Sequence, residues 1–103
     1  MAGAPQARLE AVESGRCRLV GDLDFATVPA LWRQGTALLG AQVDGVVEVD
    51  LSGVTQGDSA GLALLVTWQS QAKAAGVLLR YTALPDRLRA IARISSVESL
   101  LVG

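Results

Sequence analysis

The sequence predicts an α/β fold: a mixed sheet of four to five strands that opens with an antiparallel hairpin and continues through parallel crossovers, with helices packed on it. Three observations predict it. Two short alternating stretches flank Ser14-Gly15, a pair that suits a tight hairpin turn. An apolar segment at 46–51 runs through Gly57-Asp58-Ser59 into an Ala- and Leu-rich stretch ending at Gly76, and a second apolar segment follows at 77–82. Strand, helix and strand in so few residues imply a right-handed parallel crossover. Finally, 103 residues suffice for one domain with a modest core, and no repeat or linker divides them. Residues 7–103 therefore read as one domain. Residues 1–6, short, small and unanchored, read as a disordered N-terminus.

Each element follows from local pattern. Residues 8–13 alternate in part and form the first strand. Residues 16–20 alternate cleanly, with Cys17 and Leu19 on one face and Arg16 and Arg18 on the other, so this edge pair has one packed and one wet face. Gly21-Asp22-Leu23-Asp24-Phe25 reads as a loop. A helix then runs from Ala26 or Thr27 to Leu39, with Thr27 as its cap and Pro29 in its first turn. Val28, Leu31, Trp32, Leu38 and Leu39 supply its apolar side, which assigns Trp32 to the core, and Gly40 ends it. Residues 41–44 connect to the strand at 46–51. That strand carries apolar residues toward both faces, as expected of a central parallel strand covered by helices. Residues 52–57 read as a loop. The second helix spans 59–75 and stops at Gly76. After the strand at 77–82, Pro85-Asp86 opens a last helix bearing Leu88, Ile91, Ala92 and Ser95, with Arg87, Arg89 and Arg93 on its wetter sides. Val97, Leu100, Leu101 and Val102 are expected to pack back as a short turn or strand.

The junction before the second helix is where function is expected. Asp and Ser both favour a helix cap, because a short side-chain oxygen accepts from an unpaired N–H of the first turn. One of Asp58 and Ser59 must cap, and the other is then free to face outward. At about 100° per residue, Gly61, Leu64, Leu65, Trp68, Ala72 and Ala75 share one arc, as wide as a core-facing stripe. Ser59 lies on another side with Leu62, Val66, Ser70 and Lys73. Two readings of that side stay open: Ser59 flanked by exposed Leu62 and Val66 as a docking surface, or Leu62 and Val66 at the rim of a wide core stripe with Ser59 only capping.

Composition excludes several classes. The chain has no histidine, which removes Ser-His and Cys-His pairs and the commonest metal ligand. Cys17 is alone, so one chain can build neither a disulfide nor a thiolate cluster, and it reads as a small buried apolar residue. Asp22 and Asp24, without a third ligand, make a weak metal site. A net charge of −1 offers no basic face for nucleic acid. Half the residues are hydrophobic and mean hydropathy is +0.38, so a partner is expected to cover excess apolar surface. The central apolar run from Leu62 to Val66 is far short of the roughly 20 residues that span a bilayer. Met1-Ala2-Gly3-Ala4-Pro5-Gln6 lacks the regions of a secretion signal, so a cytoplasmic location is expected.

The element order, with Asp50-Leu51-Ser52 followed by Asp58-Ser59-Ala60-Gly61-Leu62, resembles the STAS domain family. Gly21-Asp22-Leu23-Asp24 adds support. Within that family the chain looks most like the MlaB group, cytoplasmic subunits of a phospholipid ABC transporter, through Leu31-Trp32 and Gly61-Leu62-Ala63-Leu64-Leu65. Members of that group often carry Thr where this chain has Ser59 and Gly where it has Ala60, and the hydroxyl is kept. The resemblance implies a non-enzymatic regulatory or assembly subunit without cofactor or metal, peripheral to the inner membrane through its partner. That partner is an MlaF-like ATPase subunit, within a complex that includes a membrane permease. Partner-binding residues are then expected at Thr55, Gln56, Asp58, Ser59, Leu62 and Val66, with Arg87, Arg89 and Arg93 as a possible polar rim. The alternative it implies is an anti-sigma-factor antagonist, whose partner is a serine kinase anti-sigma factor that phosphorylates Ser59.

Overall fold

A computed structural model describes residues 7–13, 15–40 and 45–101. The expected disorder of residues 1–6, the connector at 41–44, Ser14 and Val102 lie outside the described residues. The chain runs β1 (Ala7–Glu13), β2 (Arg16–Leu23), α1 (Val28–Gly40), β3 (Val46–Gly57), α2 (Ser59–Ala75), β4 (Leu78–Thr82), α3 (Asp86–Ile94) and a C-terminal 3-10 turn (Glu98–Leu101). The four strands lie in sequence order. β1 pairs antiparallel with β2, and β2–β3 and β3–β4 are parallel. No helix among the described residues is long and apolar enough to cross a membrane.

The hairpin turns at Gly15, whose φ of 72° suits a residue without a side chain. β2 and β3 are longer than expected. Gly21, Asp22 and Leu23 continue β2, and residues 52–57 continue β3, because Asp22 and Leu23 pair in register with Gln56 and Gly57. This long parallel pair makes β2 an inner strand and leaves β1 at the edge. There the Leu9 N–H donates to the Gln34 side chain of α1 at 2.8 Å. At the other edge, buried Gln69 of α2 donates to the Leu79 carbonyl of β4 and to the Leu101 carbonyl of the 3-10 turn.

One sheet face carries the core. Cys17, Leu19, Leu23, Val47, Val49, Leu51 and Leu79 point into it and meet Leu31 and Leu39 of α1, Leu64, Leu65, Trp68 and Ala72 of α2, and Leu88 and Ala92 of α3. Burial pushes the Cys17 thiol above its ordinary range. Tyr81 donates its hydroxyl to the Leu65 carbonyl at 2.7 Å, and burial raises its phenol well above the usual value. β3 is not covered on both faces, contrary to expectation. Its alternate residues Val46, Glu48 and Asp50 open to solvent on the outer face, where Glu48 and Asp50 pair with Arg16 and Arg18. The Ser52 N–H at 2.8 Å and hydroxyl, with help from Arg18, hold the Asp50 carboxyl below the usual range.

The helix ends follow their signals. Gly76 closes α2 in the left-handed conformation, and its N–H reaches the Ala72 and Lys73 carbonyls. Ala75, expected in the core arc, is exposed at that end, and Ser95 is an exposed cap after α3 rather than part of its apolar side. In the C-terminal turn Leu101 is buried while Leu100 faces outward. α1 and α2 lie side by side. Gly35 of α1 receives the edge of the Trp68 indole, whose N–H is buried without a hydrogen-bond partner among the described residues. A methyl group at Gly35 would overlap the indole. Gly35→Ala is therefore expected to destabilise the fold by about 1–3 kcal/mol, although Ala is the better helix former. Urea unfolding checks this; an unchanged or raised stability would contradict the close helix contact.

Candidate functional site

The site is the corner where β2 turns into α1 and β3 turns into α2. Because β2 and β3 are parallel and, despite two register shifts, pair as far as Leu23 and Gly57, both turns sit at the same edge of the sheet. Asp58 joins them. Its extended backbone precedes α2, and one carboxylate oxygen accepts from the Gly61 N–H at 3.1 Å. The other accepts from the Phe25 N–H at 3.3 Å. Its own N–H donates to the Leu23 carbonyl at 3.2 Å. Gly61 is required here, because a side chain would strike the Leu23 carbonyl and side chain. Asp24 does the same work for α1. Its side chain accepts from the Ala26 and Thr27 N–H groups, at 3.0 and 3.2 Å. Thr27, expected as the α1 cap, is buried, and its hydroxyl donates to the Asp22 carbonyl at 2.8 Å.

With Asp58 capping, Ser59 is free and exposed at the first position of α2. Thr55 and Gln56 are exposed on the end of β3, and the Thr55 hydroxyl donates to the Asp22 carboxylate at 2.7 Å. An open groove of about 480 Å³ runs beside them, lined by Asp24, Thr55, Gln56, Asp58, Pro85 and Arg87. Thr55, Gln56, Asp58 and Ser59 thus come together at one corner. Arg87 reaches the groove; Arg89 and Arg93 are exposed on α3, and Arg93 lies 3.9 Å from Glu98. Among the described residues no group of three or more His, Cys, Asp or Glu side chains is placed to hold a metal ion.

Two expectations need correction. Leu62 is not a docking residue: it is only 4% exposed and belongs to the core. Val66, one turn on, is half-buried against that core and borders a small groove with Leu100 of the 3-10 turn. That rim of α2 is covered because α3 and the 3-10 turn pack along it. Trp32 is not a core residue either. It is 37% exposed, while its neighbour Leu31 is fully buried.

The apolar company of Ser59 comes instead from α1. Phe25 is 80% exposed, and its N–H is the one Asp58 holds. The Val28 N–H bonds the Asp24 carbonyl, so the helical path already begins in the turn, and Phe25, Pro29 and Trp32 follow at i, i+4 and i+7 on one flank. Thr36 continues that flank and meets Gln71 of α2 at 3.4 Å, so the flank faces α2. On α2, exposed Ala63 lies one turn beyond Ser59. Sequence reading missed Phe25, which carries no signal inside a run taken as loop. The Leu31-Trp32 pair was noticed, but not which member faces out.

A family profile described as "Mlab, STAS domain" matches residues 7–103. Among solved structures, the anti-sigma factor antagonist SpoIIAA in its unphosphorylated form superposes with a TM-score of 0.66 at 16% identity, over 86% of this chain and 83% of that one. The Bacillus cell fate determinant SpoIIAA in its phosphorylated form gives 0.66 at 18%, over 92% and 87%. An anti-sigma factor antagonist from Mycobacterium paratuberculosis gives 0.65 at 20%, over 92% and 80%. At such identities the superpositions establish the shared fold. A search of curated protein sequences returned no match. Because that profile spans nearly the whole chain, and the strand order and fold agree with the superposed STAS-type antagonists, the chain belongs to the STAS domain family.

Proposed function

We propose that this protein is a non-enzymatic regulatory and assembly subunit of an ABC-type phospholipid transport complex that maintains lipid asymmetry. It binds the ATPase subunit and raises its turnover, and it is cytoplasmic, held at the inner membrane through that partner. One observation carries the reading: Asp58 takes over the capping of α2 and holds the Phe25 backbone, leaving Ser59 exposed at a corner that also carries exposed Phe25. An exposed hydroxyl at the start of α2, with an exposed aromatic ring in the facing turn and another on α1, suits protein contact, since aromatic anchors dominate interface energetics. Thr55, Gln56, Asp58, Ser59 and Val66 remain assigned to the contact, with Phe25 and Trp32 added and Leu62 withdrawn.

The second reading is an antagonist whose partner is a serine kinase anti-sigma factor. Its support is the same free hydroxyl and the likeness in fold to SpoIIAA. Phosphate would add about −1.5 to −2 charges. The α2 N-terminus favours that charge, while Asp58, at the adjoining position, repels it. An apolar partner surface on Phe25 and Trp32 would also have to desolvate it, so release of the partner is the expected result.

Ser59→Arg and Phe25→Ala are each expected to weaken binding to the cognate ATPase subunit by about 2 kcal/mol, roughly thirtyfold in Kd, with unchanged circular dichroism. Titration calorimetry checks this, and full affinity in both variants would rule the corner out. Stoichiometric phosphate on Ser59 after incubation with a kinase anti-sigma factor and ATP would favour the second reading. The caps predict a separate effect on stability. Asp58→Ala is expected to cost about 1–2 kcal/mol, and Ser59→Ala under about 0.5 kcal/mol. Urea unfolding separates them; equal losses would mean that Ser59 shares the capping.

A further inference from the structure

The helices cover one face of the sheet and leave the other open. On this outer face the charges are sorted by strand: Arg16 and Arg18 stand on β2, and Glu48 and Asp50 stand beside them on β3, in register. At the same face Val46 and Leu78, also in register, are 53% and 44% exposed. A basic stripe beside an acidic stripe on adjacent parallel strands is complementary to itself. A two-fold axis running along the strands between β2 and β3 lays β2 of one copy over β3 of the other. Arg18 then faces Asp50, and Arg16 faces Glu48, across the contact in both directions. Stacked sheets lie about 10 Å apart with strands within about 30° of parallel, a gap these long side chains span. Because the two signs alternate across the face, a uniformly charged polyanion is a poorer fit than a second copy.

We propose that the outer sheet face is a self-association surface whose occupant is a second copy of this chain. The edges offer less, because the Leu9 N–H of β1 is taken by Gln34 and the Leu79 carbonyl of β4 by Gln69. Four strands about 4.8 Å apart and five to six residues tall present roughly 400 Å² per copy. The total of about 800 Å² falls short of the roughly 1,200 Å² of stable interfaces, so the dimer is weak and reversible, with Kd on the order of 0.1–1 mM. The face lies across the sheet from the Ser59 corner's helices, so both surfaces remain open to use at once.

Sedimentation equilibrium of the full chain tests this. The wild type is expected to show a monomer–dimer equilibrium that weakens as salt is raised from about 0.05 to 0.5 M. Arg18→Glu and Asp50→Arg should each weaken it at least about tenfold, because each sets like charges opposite one another. An equimolar mixture of those two variants should associate more tightly than either alone, and Arg18→Asp with Asp50→Arg in one chain should restore association. Ser59→Arg should leave the equilibrium unchanged, which separates this surface from the corner. Circular dichroism confirms that each variant is folded. A wild type that stays monomeric at its solubility limit, or folded charge variants that associate like the wild type, would overturn the proposal.

Discussion

The corner depends on one carboxylate. Asp58 accepts from the first turn of α2 and from the Phe25 backbone at the entrance to α1, so a single side chain ties both strand-to-helix turns together. Its backbone N–H adds a third tie, to the end of β2. Those bonds hold only because Gly61 lets the first turn of α2 sit directly on Leu23. Once Asp58 is committed, Ser59 has no capping work left and its hydroxyl faces solvent. Hydroxyl exposure and helix placement are therefore consequences of the same local geometry.

The layer of helices is correspondingly rigid where it matters. Gly35 brings α1 against Trp68 of α2, while Tyr81 and Gln69 fasten α2 to β4. The flank of α1 that meets α2 at Thr36 and Gln71 is left partly uncovered toward its start. Trp32 and Phe25 stay accessible there, and the Phe25 backbone is held by Asp58. Contact groups held in place in this way lower the entropic cost of binding a partner.

Much of this was legible in the sequence. Both ends of α2, the parallel crossover, the hairpin at Gly15 and the duty of capping at Asp58 or Ser59 follow from patterns within a few residues. What was hidden required knowledge of distant neighbours. Residues 52–57 look like a loop because nothing local announces that β2 continues to Leu23 and pairs with them. The strand at 46–51 read as covered on both faces, whereas Glu48 and Asp50 mark a solvent face. A helical wheel gives the direction of Leu62 but not that α3 and the 3-10 turn close over that rim. Helical spacing put Trp32 on the apolar side of α1, yet it stays 37% exposed. Rim positions are decided by the size of the facing residues, which no single-helix pattern contains.

The central claim is that the partner sits on the Asp58–Ser59 corner and the adjoining flank of α1. Hydrogen–deuterium exchange of the full chain, free and saturated with the cognate ATPase subunit, tests it most directly. The account predicts new protection in residues 24–33 and 55–66, with exchange on β4 unchanged. Protection confined to α3 and the 3-10 turn, with the corner exchanging as in the free protein, would contradict it.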